Sequence, residues 1–94
     1  MRRVQEPITP KFRPGKHIPR WFEWRSTRYE VVRLIETWVK QSEWWRHTGP
    51  DRREFYRVEV KGRHPEMVWS RFSCVLMHRT YGNVNAWMVA QVDD

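Results

Sequence analysis

Glu54-Phe55-Tyr56-Arg57-Val58-Glu59-Val60-Lys61 decides the fold class. Tyr56, Val58 and Val60 fall on one side of this stretch, and Phe55, Arg57 and Glu59 fall on the other. A period of two is the signature of a half-buried strand, because successive side chains in extended backbone point to opposite faces. Upstream, Gly49-Pro50-Asp51 makes His47–Arg52 a loop, and downstream the Gly62–Pro65 segment turns the chain. Val68–Arg79 then holds one or two strands with apolar residues on both faces. Tyr81–Asn85 carries Gly82-Asn83 and reads as a hairpin loop before a last strand at Ala86–Val92.

Toward the N-terminus, Arg20–Trp24 alternates, with Phe22 and Trp24 on one side. Arg25-Ser26-Thr27 supplies a tight turn, and Tyr29–Ile35 returns as a strand rich in β-branched residues. The next segment is ambiguous. Val31, Leu34, Ile35, Trp38 and Trp45 recur at helical spacing, and Thr27-x-x-Glu30 matches a capping box. Val31, Val32, Ile35, Thr37 and Val39 oppose a helix, because β-branched side chains lose rotamer freedom there. The reading adopted is a strand through Ile35, then a turn or short helix over Glu36–Ser42. Strand and helix both remain open for Val31–Trp45, and with them the face that Trp44 and Trp45 occupy.

The chain has 94 residues, a formal net charge of +7 and seven tryptophans. This length is one domain. Each large aromatic buries about 150–250 Å², so most of the indoles are expected to be core. Cys74 is the only cysteine, which excludes an intrachain disulfide and fits a cytoplasmic location. No apolar run is long enough to span a membrane, and no signal-peptide pattern opens the chain.

Charge is uneven. Residues 1–28 carry Arg2, Arg3, Lys11, Arg13, Lys16, Arg20, Arg25 and Arg28 against only Glu6 and Glu23, while the remainder is nearly neutral. Pro7, Pro10, Pro14 and Pro19 rule out a helix or central strand at the start of the chain. Residues 1–19 therefore read as a flexible basic arm, with room for one edge strand at Arg3–Gln5 and a turn at Pro14-Gly15. Residues 20–94 read as a single small β-rich domain. The expected fold is mainly β: a small antiparallel barrel or sandwich of SH3-like size with a short helix, preceded by the Pro-rich basic N-terminal arm.

The search for catalytic patterns is nearly empty. Cys74 sits in a strand pattern between Phe72 and Leu76 and reads as a buried thiol. His17, His47, His64 and His78 lack ligand spacing, so no metal or other cofactor is expected. There is no Gly-rich phosphate loop and no paired-carboxylate motif. A basic surface with aromatic interleaving suits nucleic acid instead. Arg57 beside Phe55 on one strand face could pair phosphate contact with base stacking. Trp44, Trp45 and Arg46 could do the same from a loop. Arg25 and Arg28 complete that candidate set, and Arg2, Arg3, Lys11, Arg13 and Lys16 would track a backbone from the arm.

Several of these residues form an ordered series. It runs Phe22-x-Trp24-Arg25-x-x-Arg28-Tyr29-x-Val31, then Trp38, then Glu43-Trp44-Trp45, then Arg53-x-Phe55-Tyr56-Arg57-Val58, then Trp87 and Asp93. The series resembles a small bacterial domain family of unknown function. That family is in turn similar to the C-terminal extension of Y-family polymerase-like proteins of the bacterial mutasome. Ser26 stands where the family usually has glycine, and Phe55 where tyrosine is commoner. The polymerase-like body is absent, so the resemblance implies a context, DNA damage tolerance, and no activity. The resulting expectation is a non-catalytic accessory domain that binds DNA or a DNA-bound repair or replication complex. The alternative is a protein-interaction module that uses a Trp/Arg patch without touching nucleic acid.

Overall fold

The computed structural model describes residues 2–42, 51–64 and 67–93. Every regular element in it is a strand: β1 (Arg2–Pro7), β2 (Thr9–Lys11), β3 (Trp21–Trp24), β4 (Thr27–Ser42), β5 (Asp51–His64), β6 (Met67–Tyr81) and β7 (Val84–Asp93). They form one antiparallel sheet in the order β1-β7-β6-β5-β4-β3-β2. The architecture is a single curled sheet, a half-barrel, and not a sandwich of two.

The alternation of Glu54–Lys61 holds. Tyr56, Val58 and Val60 are buried, and they join Phe22, Trp24, Cys74, Leu76, Val89 and Val92 in the core on the concave face. Tyr29 packs among them, with ring centroids 5.5 Å from Phe22, 5.7 Å from Trp24 and 5.5 Å from Phe72. Its cross-strand partner is Gly62.

The turns follow their residues. Arg25 and Ser26 have φ of 52° and 61°, and Trp24 pairs with Thr27 across them. Two consecutive positive φ values define a type I′ hairpin, whose twist matches that of its strands. Gly82, at φ 55°, opens the two-residue turn closed by Tyr81 and Val84.

Two expectations are corrected. No helix covers Glu36–Ser42, because β4 runs unbroken to Ser42. Register shifts between Val31 and Arg33 and between Leu34 and Glu36 explain the false signal. Each bulge adds a residue, so Val31, Leu34 and Thr37 come to face Val60, Val58 and Tyr56. A spacing of three on one face imitates a helix. Likewise, residues 2–11 are not an arm apart from the sheet. β1 pairs with β7 and β2 pairs with β3, at opposite edges. Pro7 and Pro10 are tolerated because both strands are edge strands, where a missing N–H faces outward.

Those two edges are joined by one residue. Ile8 donates its backbone N–H to Trp87 at 3.2 Å, and Thr9 already pairs with Glu23 on β3. The sheet must therefore curl until its edges lie side by side. Glu6 fastens them, accepting a hydrogen bond from Trp24 Nε1 at 3.1 Å and one from Arg25 Nε at 2.7 Å. The Arg25 hydrogen bond foremost, then Trp24, holds the Glu6 carboxyl below its usual range.

Candidate nucleic-acid interface

The convex face of the sheet carries a second apolar cluster. Trp38, Phe55, Met77 and Met88 lie in one cross-strand row over β4, β5, β6 and β7. With the buried Val75, Met77 and Ala90 they form a patch separate from the main core. Trp38 and Phe55 are direct cross-strand partners, stacked 5.3 Å apart and 5° from parallel. A stacked pair on neighbouring strands stands upright on the sheet. Past Val31, β4 has a described neighbour only on the β5 side. The second face of the Trp38 ring is therefore turned toward the open edge of the sheet.

The next row along the strands is Lys40, Arg53 and Arg79, again in direct register. Like charges opposite one another destabilise a sheet. One carboxylate relieves the row: Asp51 takes two hydrogen bonds from Arg79, at 3.1 and 2.9 Å, and one from Arg53 at 3.1 Å. The Arg79 hydrogen bonds are the largest cause holding the Asp51 carboxyl below its usual value, against the opposing effect of burial. Lys40 lies 5.7 Å from the Phe55 ring centroid, a cation–π geometry. Arg3 and Gln91 line the same trough, of about 330 Å³, from the β1 side. The result is an aromatic and thioether floor with a cationic flank.

The residues singled out from sequence go to different places. Phe55 is in the trough, and Arg57 is on the same face. The Arg57 guanidinium is occupied, however, bonding Glu36 at 2.8 Å and pairing with Asp93, which Ser73 also reaches at 3.1 Å. Arg25 lies over the Trp24 ring and is tied to Glu6 at the edge seam. Arg28 sits 4.0 Å over Trp21 on β4. Arg2 and Arg3 are in β1, and Lys11 is in β2. Arg13 and Lys16 line a different cleft. Trp44, Trp45 and Arg46 lie outside the described residues. Sequence reading missed Trp38, Lys40, Arg53, Arg79, Met77 and Met88. The signal for Arg53 was available, since it lies two residues before Phe55 and so shares its face.

Burial pushes the Cys74 thiol up to about 12, with Asp93 adding to the shift. Among the described residues, no group of three or more His, Cys, Asp or Glu side chains could hold a metal ion. Among the described residues, no helix is long and apolar enough to cross a membrane.

No curated protein and no solved structure matches this chain. A family model does match, over residues 1–94, and its description is a domain of unknown function. The fold and surface described above are thus those of a member of that family: the chain belongs to DUF6504.

Proposed function

We propose that this domain is a non-catalytic module that binds DNA through the convex trough, as an accessory in damage-tolerant replication or repair. The observation that carries the reading is the in-register row of Lys40, Arg53 and Arg79 beside the stacked Trp38–Phe55 pair. Asp51 is one carboxylate against three cations, so the row keeps a net positive charge that a phosphate can meet, and aromatic faces beside such cations suit stacked bases. The context of damage tolerance rests on the resemblance to the mutasome extension alone.

The test is a titration of tryptophan fluorescence with a short DNA strand at about 50 and 200 mM salt. Trough cations that neutralise about four phosphates give log affinity a slope against log salt of roughly −3 to −4. Trp38→Ala removes much of the quenching, and Lys40→Gln flattens the slope by about one. A flat salt response, or binding untouched by both substitutions, refutes the reading. Deleting residues 1–19 is not a clean test, because residues 2–11 form both edges of the sheet.

The alternative, a protein-interaction module that uses a Trp/Arg patch without touching nucleic acid, is favoured by one observation on the strand that carries Trp38. Val32, Leu34, Ile35 and Val39 are 40–48% exposed along the open length of β4. Exposed apolar side chains along an unpaired strand edge suit a protein partner. It predicts a contact that survives high salt and is lost with Leu34→Ser.

A further inference from the structure

We propose that the paired clefts at the open end of the half-barrel form a second site, separate from the trough, that takes a nucleoside phosphate. The argument starts from the loop between β2 and β3. Lys16 donates its backbone N–H to Arg13 at 3.1 Å, across Pro14 and a Gly15 at φ 75°. This is the pattern of a type II turn, with proline first and a left-handed glycine second. Arg20 N–H bonds Lys11 at 2.7 Å, and Val31 N–H bonds Arg20 at 3.0 Å. Pro19 is fully buried, and Ile18 packs on the core. The loop is thus anchored at its turn, at both ends and through its apolar side chains, so the backbone that carries its basic residues is held in place.

Arg13, Lys16 and Arg20 line a cleft of about 550 Å³ that no carboxylate enters. These three cations have no acidic partner among the described residues. On β5, by contrast, Arg52, Arg53 and Arg57 each pair with a carboxylate. Unpaired cations converging on one cleft are the chemistry of a phosphate site. Lys16 and His17 also line an adjoining cleft of about 330 Å³ that holds Phe12 and Trp87, together with Glu54, whose carboxylate accepts a hydrogen bond from the Tyr56 hydroxyl at 3.0 Å and lies 3.4 Å from His78 Nδ1. Phe12 is 42% exposed and meets Trp87 edge-on at 5.5 Å. Trp87 is itself backed by His78, stacked at 4.5 Å, and Tyr56 at 5.6 Å. Asn85 Oδ1 is engaged by His78 Nε2 at 2.6 Å, which leaves its amide N–H groups for a ligand. One cleft therefore offers charge, and its neighbour offers aromatic surface and a hydrogen-bond donor. Both volumes fall in the range of about 300–1,000 Å³ usual for small-molecule pockets. A phosphate in the first cleft and its nucleobase in the second satisfy both.

The probe is deoxyadenosine 5′-monophosphate, titrated calorimetrically against the full chain. It binds about tenfold or more tightly than deoxyadenosine or inorganic phosphate, because each half supplies part of the affinity. Lys16→Gln and Arg20→Gln each weaken it about tenfold, the usual loss of a charged hydrogen bond, and Phe12→Ala weakens it too. All three side chains are exposed, and unchanged melting temperatures confirm that the variants fold. Trp38→Ala and Lys40→Gln leave this affinity unchanged, so the trough and the clefts succeed or fail separately. A short strand with and without a 5′-phosphate identifies the source. A phosphorylated end that binds better than the mononucleotide assigns the site to strand ends, and equal affinity assigns it to free nucleotides. The proposal is overturned if the monophosphate binds no better than the nucleoside or phosphate, or if all three cleft variants bind as the parent does.

Discussion

Replacing Gly62 with alanine tests the packing of the core at its tightest point. A Cβ on Gly62 would lie 2.7 Å from Tyr29 Cε1 and 3.0 Å from Cδ1. Carbon atoms pack best at about 3.5–4.0 Å, so the methyl group overlaps the ring by most of an ångström. The ring has little room to retreat, since Phe22, Trp24 and Phe72 surround it. Overpacking of this kind costs about 1–3 kcal/mol, which in a domain of this size lowers Tm by about 5–20 °C. Gly62 has no left-handed φ, so its backbone accepts alanine without strain. With the ring removed, the same substitution should therefore stabilise the chain by about 0.4–1 kcal/mol, by restricting the unfolded state. Thermal and urea melts of Gly62→Ala, Tyr29→Ala and the double variant complete the cycle. The expected result is a reversal of sign for Gly62→Ala between the two backgrounds. An equal cost in both, or no cost in the parent, refutes the Tyr29–Gly62 packing.

Ser26→Gly should raise Tm by about 4–8 °C, since φ 61° costs an L-residue about 1 kcal/mol that glycine avoids. Cys74 should resist a thiol reagent in the native protein and react only as the chain unfolds, because burial keeps the thiol protonated to about pH 12. Reaction at the rate of a free thiol would place Cys74 outside the core. Stability should also fall in acid. Glu6 and Asp51 have carboxyls lowered in the folded state, so their contributions are complete above the ordinary carboxylate range and are lost as pH falls through the depressed values. Tm should be flat above about pH 5 and decline below about pH 4, with a shallower decline in Asp51→Asn. An unchanged acid slope in that variant would remove Asp51 as a source.

Legibility in the sequence followed the regularity of the backbone. Glu54–Lys61 was readable because β5 alternates without interruption through it. The hairpin at Gly82-Asn83 was readable from its turn residues, and the one at Arg25-Ser26 from the alternating stretch before it and the β-branched run after it. β4 was misread because two bulges replaced a period of two with a spacing of three. The N-terminal residues were misread for a different reason. Their prolines excluded a central strand, correctly, but nothing local shows that a short segment will edge a sheet whose other strands lie up to ninety residues away. The trough was half legible. Phe55 and Arg57 do share a face, whereas its other walls come from β4, β6 and β7, and only the register brings them together. Composition also gave no hint that Arg57 and Arg25 spend their charge on Glu36, Asp93 and Glu6.

The single-residue link at Ile8 has a consequence for the order in which the chain is built. Among the described strands, β1 is made first and needs as its partner β7, which is made last of the seven. β2 needs only β3 and can pair early. A nascent chain can therefore assemble the β2–β3–β4 meander and extend it through β5 and β6 while its N-terminus waits. Closure has to wait until β7 has been made, and is one long-range step that seats Ile8, Glu6 and the β1–β7 ladder together. Such late pairings are slow relative to local hairpins. Until that step, the exposed edge of β7 is an open template for other chains, so the interval before closure is when this domain is most prone to aggregate.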